Sequence, residues 1–174
     1  GGRASAGHDV RGRGRGAARC GRGRSAPTGG CGTGAWVAGV VGRLEPDRIG
    51  HGVKAAYDPR AMAMIRDRGI VLEICPTSNL NTRVVSGWEE FRWIFDTLRR
   101  NEVRFTINTD GPEMLKTYVR DEMAQLGGLG ILSVADQEIA AATSLAASFV
   151  PNVSDVPAPR LAPASQAAVP REEA

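Results

Sequence analysis

Three short stretches of this chain carry side chains that can do chemistry. His51 stands between glycines in Arg48-Ile49-Gly50-His51-Gly52. Cys75-Pro76-Thr77-Ser78-Asn79 offers a thiol, two hydroxyls and an amide, and Asn108-Thr109-Asp110-Gly111-Pro112 offers a carboxylate. An imidazole titrates near neutral pH, so it can orient or deprotonate a water or bind a metal. A carboxylate can ligate a metal or hold a proton. Taken singly, each has a plainer reading. A strand-end His is a structural hydrogen-bonder, and an Asp before Gly-Pro is a turn residue. Cys75 reads as a small buried apolar group, not a nucleophile. Ser78 and Asn79 read as loop hydrogen-bonders.

The elements around these stretches decide what they can do together. Trp36, Val37, Val40, Val41 and Leu44 recur at helical spacing, and Pro46 ends that helix. A short strand, Asp47 to Val53, runs into the turn that holds His51. Asp58-Pro59 is a helix start, with Asp as N-cap and Pro in the first turn, and Gly69 suits a left-handed C-cap. Ile70 to Cys75 is a nearly continuous apolar run, the pattern of a parallel strand covered on both faces. Pro76 and Asn79 mark a loop. Ser86-Gly87-Trp88-Glu89 has capping-box spacing ahead of a helix with Trp88, Phe91, Phe95 and Leu98 on one face. That stripe is core packing, not a cofactor box.

Val103, Phe105 and Ile107 alternate as a third strand. Leu115, Val119, Glu122/Met123 and Leu126 mark the next helix, broken at Gly127-Gly128-Leu129-Gly130. Ser133 caps a last helix whose inward residues are read as Ile139, Ala142, Leu145 and Phe149. Strands alternating with helices imply an α/β fold with a parallel sheet. Chemistry in such sheets gathers at the carboxyl ends of the strands, where His51, the Cys75 loop and Asp110 all fall. The expectation is that His51 and Asp110 converge at the same end of adjacent strands.

Composition divides the chain. Residues 1–34 hold seven Arg against one Asp, a net of +6, so the remainder carries −3 of the overall +3. This leader has no apolar period and is read as disordered. Residues 152–174 are a Pro/Ala/Ser-rich tail, read the same way. Any affinity for nucleic acid must lie in the Arg/Gly leader, which lacks aromatics for base stacking. Cys20, Cys31 and Cys75 are odd in number and form no CxxC pair, so free thiols in a reducing cytoplasm are expected. No secretory signal and no membrane span are read.

The three stretches, in this order, resemble the adenosine deaminase family. Arg48-Ile49-Gly50-His51-Gly52 is similar to its sixth-strand motif, Leu72 to Asn79 to its seventh, and Thr106-Ile107-Asn108-Thr109-Asp110 to its eighth. Ser144 to Pro151 is similar to the end of its last helices. The resemblance spans residues 35–151. It implies a partial TIM-type (β/α)8 barrel: a preceding helix and the last three strand–helix units. A closed barrel usually needs about 250 residues, more than the 174 here.

The resemblance also implies zinc, held in that family by three His and one Asp, which activates a water for hydrolytic deamination of adenosine or a related aminopurine. Carried over, His51 is the base that orients the hydroxide and Asp110 the metal ligand. Many relatives place a second Asp next, against the purine. Here the substrate-binding position is Gly111, with Glu113 nearby. The first-strand His-x-His pair has no counterpart. Where the family's fifth strand carries His-Ala-Gly-Glu, this chain has Ser25-Ala26-Pro27-Thr28, and the remaining His8 lies in the leader. One zinc ligand of four is present, so the chain by itself is expected to be inactive. A complementing N-terminal barrel fragment would supply the rest. The alternative is a non-catalytic half-barrel whose Arg/Gly tail binds RNA or another acidic partner.

Overall fold

The computed structural model describes residues 33–150 and the two-residue strand Ser25–Ala26. The elements run β1 (Ser25–Ala26), α1 (Gly34–Leu44), β2 (Arg48–Gly50), a 3-10 turn (Val53–Tyr57), α2 (Pro59–Arg68), β3 (Val71–Ile74), α3 (Pro76–Asn81), α4 (Trp88–Arg100), β4 (Phe105–Ile107), α5 (Pro112–Leu115), α6 (Val119–Gly128) and α7 (Val134–Ala146). The four strands form one sheet in the order β1-β2-β3-β4, every pair parallel. Parallel neighbours need long crossovers, which the helices supply. The result is an arc of a (β/α)8 barrel. Three of these strands, β2, β3 and β4, lie where the residue pattern predicts them. The fourth, β1, pairs Ser25 with Arg48 and Ala26 with Ile49, in the segment compared above with the family's fifth strand.

The helix signals act as expected at three ends. Asp58 caps α2 by accepting from the amides of Arg60 and Ala61, at 2.9 and 3.2 Å. Gly69 closes the same helix at φ +66. Ser133 and Asp136 form a reciprocal capping box on α7. Three other readings change. Pro76 to Asn81 is a short helix, not a loop, because a proline at the first position suits a helix start. The carboxylate holding the start of α4 is Glu90, not Glu89. Its Oε2 accepts from both the amide and the hydroxyl of Ser86, each at 2.6 Å. The helix read from Leu115 onward is two helices, α5 and α6, separated by Lys116 at φ +52.

One core joins the layers. On α4, Phe91, Ile94, Phe95 and Leu98 follow helical spacing and are fully buried. Phe91, Phe95 and Phe105 are in ring contact, at centroid distances of 5.8 and 5.1 Å. Each fully buried ring contributes about 1.5–3 kcal/mol. Thr106 is buried beside Phe105 and Ile107, so β4 lacks the expected inside–outside alternation. A parallel strand covered on both faces has no solvent side. On α7 the buried positions are Ala140 and Thr143, while Leu145, and Phe149 beyond the helix end, are half exposed. That helix therefore turns small residues inward, and α7 packs against β4.

Candidate active site

At the carboxyl end of β2 the chain turns sharply. His51 and Gly52 take consecutive left-handed conformations, at φ +58 and +68. The His51 amide still donates to Glu73 O at 2.9 Å, so the ladder holds up to the turn. The ring is buried, with 6% of the residue exposed. Its Nδ1 lies 3.1 Å from Asn79 Nδ2 and its Nε2 3.7 Å from Asp110 Oδ2.

β4 delivers Asp110 in the same manner. Asn108 N–H donates to Ile74 O at 2.8 Å, and two residues later Asp110 adopts φ +66. Ser78 Oγ donates to Asp110 Oδ2 at 2.8 Å. His51 and Asp110 thus meet at one end of the sheet, but not from adjacent strands. β3 lies between β2 and β4, and the two side chains lean across its end.

His51 and Asp110 line a cavity of about 350 Å³, together with Gly50, Glu73, Cys75, Asn108, Thr109 and Val119. That volume falls within the range of small-ligand pockets. Neither Gly111 nor Glu113 is on its wall. Gly111 sits at the start of α5 with φ −119, a conformation any residue adopts. Glu73 also lines the cavity, although the sequence pattern predicts no role for it. Its Oε1 lies 2.6 Å from Arg48 Nε. A single charge inside an apolar strand was the signal available for it. Ser78 and Asn79, read as loop hydrogen-bonders, in fact bond the two site residues.

Cys75 is a free, buried thiol. Burial first, and then the charge of Asp110, push its pKa up to about 12. A thiol held in this form is a poor nucleophile. Among the described residues, no group of three or more His, Cys, Asp or Glu side chains is placed to hold a metal ion. Catalytic zinc needs about three protein ligands and an open position. The side chains at this sheet end therefore do not fit zinc by themselves. No helix among the described residues is long and apolar enough to cross a membrane. The nucleic-acid alternative rests on residues 1–34, which fall almost wholly outside the described residues.

Comparison with known proteins bears on this geometry. The sequence model of the family described as adenosine deaminase matches residues 17–155, starting well ahead of the boundary expected at residue 35. An adenosine deaminase of Clostridium botulinum is 31% identical over 133 residues, covering 76% of this chain and 39% of the relative. An aminodeoxyfutalosine deaminase of Streptomyces coelicolor is 41% identical over 96 residues, covering 53% of this chain and 24% of the relative. The crystal structure of an adenine deaminase from Arthrobacter aurescens superposes with a TM-score of 0.62 at 24% identity, over 75% of this chain and 40% of that one. That likeness shows the fold. The chain spans well under half the length of these relatives.

Proposed function

This chain belongs to the adenosine deaminase family, and on that premise we propose that His51 and Asp110 are part of a site for hydrolytic deamination of adenosine or a related aminopurine. The observation that carries the reading is the approach of His51 Nε2 to Asp110 Oδ2, 3.7 Å apart, on the wall of the cavity at the strand ends. In the reaction a water oxygen bonds to the amino-bearing carbon and the C–N bond breaks. One proton of the water ends on the ring nitrogen and the other on the departing ammonia. His51 orients the attacking oxygen and steadies its charge. Asp110 holds the second side of that position, with Ser78 fixing its carboxylate. With Gly111 in place of a carboxylate, the purine contact falls to other groups, and the substrate stays at the level of an aminopurine.

The described side chains complete neither a zinc shell nor a catalytic acid, so the reading assigns little turnover to this chain alone. Activity calls for the remaining barrel wall, supplied as further chain or as a complementing fragment. The free thiol of Cys75 suits a reducing cytoplasm. The test is ammonia release from adenosine and adenine with zinc present. The 174-residue chain is assayed alone and co-expressed with a segment bearing the first five strands of a relative. We expect turnover only in the complemented sample. His51→Ala should lower it by about 10²–10⁴, the usual worth of such a group. Complemented turnover that is indifferent to both His51→Ala and Asp110→Ala would sink the reading.

A further inference from the structure

We propose that Asn79 is the positioning residue for His51: its amide makes Nδ1 of the ring an acceptor and so places the proton of the neutral imidazole on Nε2, facing Asp110. The placement of the proton rests on the two contacts of the ring, with an amide nitrogen and with a carboxylate. Its meaning for catalysis rests on the deaminase reading.

The two ring nitrogens meet two different neighbours. Nε2 faces a carboxylate oxygen at 3.7 Å. An ionised carboxylate only accepts, so an N–H there is attracted and a lone pair repelled. A neutral imidazole has one N–H, which leaves Nδ1 bare in a residue only 6% exposed. The group against Nδ1 is Asn79 Nδ2, at 3.1 Å, which only donates. Both neighbours select the same tautomer. The amide oxygen of Asn79 is buried without a hydrogen-bond partner, a cost the fold carries at this one amide. Reversing the amide would set that oxygen against the bare nitrogen or force the proton onto Nδ1.

Asn79 is itself held. It is 1% exposed, its backbone N–H donates to Cys75 O, and its backbone carbonyl accepts from Val85 N–H. Its neighbour Ser78 donates to Asp110 at 2.8 Å. One turn of α3 therefore fixes the imidazole from one side and the carboxylate from the other. The consequence is a sharper role for His51. With the proton on Nε2, the ring meets the attacking oxygen as an N–H donor, stabilising its charge, and does not take its proton. Preformed donors of this kind act without reorganisation as charge develops.

Histidine NMR reads this directly, because the chain has only His8 and His51. In the full chain carrying His8→Gln, long-range 1H–15N correlation of the neutral ring should show Nδ1 unprotonated and Nε2 protonated. A coupling across the hydrogen bond to Asn79 Nδ2 should accompany it. Asn79→Asp, nearly isosteric, offers Nδ1 an acceptor and no donor, so Nδ1 becomes protonated. Asn79→Leu combined with Asp110→Ala removes both neighbours and yields interconverting tautomers, while Asp110→Ala alone keeps Nε2–H. The backbone amide spectrum shows whether each variant is folded. A protonated Nδ1 in the parent, an unprotonated Nδ1 in folded Asn79→Asp, or a single Nε2–H tautomer in the double variant would overturn the proposal. None of these measurements needs turnover. Failure of the ammonia assay would therefore remove the deaminase reading and leave the tautomer result standing.

Discussion

Gly52→Ala puts a methyl where the turn after β2 has room for none. The residue sits at φ +68, and a left-handed backbone costs an L-residue about 1–2 kcal/mol. The new Cβ would also lie 2.8 Å from Leu72 Cδ2 and 3.4 Å from Ile49 Cγ2. Both neighbours are fully buried, so relief requires a shift inside a packed core, which costs about 1–3 kcal/mol. The combined loss is about 2–5 kcal/mol, a large part of the roughly 5–15 kcal/mol that holds a domain together. Urea unfolding followed by far-UV circular dichroism measures it. With a slope of about 2 kcal/mol per molar, the midpoint should fall by about 1–2.5 M. The same substitution in a Leu72→Val background, which lacks the clashing methyl, separates the two causes. The steric part should return and the backbone part should remain. A Gly52→Ala midpoint within about 0.3 M of the parent would refute the packing reasoning. Complete recovery in the Leu72→Val background would refute the backbone reasoning.

Four further outcomes are expected. Glu122 is 1% exposed and accepts from Thr77 N–H at 3.2 Å and Thr117 Oγ at 3.3 Å. Glu122→Ala strands both donors and should lower stability by about 2–4 kcal/mol in urea unfolding, while Glu122→Gln, which keeps an acceptor oxygen, loses less. Glu90 is held down to about 2: burial opposes its charge, but hydrogen bonds from Ser86, Tyr57 and Lys54 outweigh it. Its stabilisation is present above the ordinary value of 4.5 and is lost as pH falls toward 2. Glu90→Gln should remove about 1 kcal/mol of that dependence, measured as the midpoint across this window. Cys75 should resist iodoacetamide at pH 8 until the chain unfolds, as peptide-resolved mass spectrometry would show; native labelling at the rate of a free thiol would contradict its burial. Gly111→Asp should shift stability by under about 0.5 kcal/mol, because its backbone is ordinary and an added Cβ meets only Met114, at 3.5 and 3.8 Å.

The parts that were legible from sequence are those that local rules determine. Asp58-Pro59, Gly69 and Ser133 mark helix ends because each answers an unpaired backbone group within a few residues. The apolar run around Leu72 announces a strand covered on both faces. The pairings that make the site were out of reach. His51 meets Asn79 across 28 positions and Ser78 meets Asp110 across 32, and no periodicity links side chains that far apart. The inward face of α7 carries the small Ala140 and Thr143 and leaves the larger Leu145 half exposed, because packing against β4, not residue size, sets which side is covered. Glu90 replaced Glu89 because Ser86 lies a residue before the assigned cap, Gly87.

The left-handed backbone at positions 51 and 110 also limits what substitution can explore there. Beyond glycine, the residues that occupy such a conformation with least strain are Asn, Asp and His. Aliphatic side chains cost about 1–2 kcal/mol there before any question of reactivity arises, and β-branched ones are the least tolerated. The loops that end β2 and β4 thus favour a narrow alphabet: a hydrogen, or a short polar group carrying nitrogen or oxygen. Any new activity reached by point changes at these two corners would draw on the same few ligating and hydrogen-bonding groups.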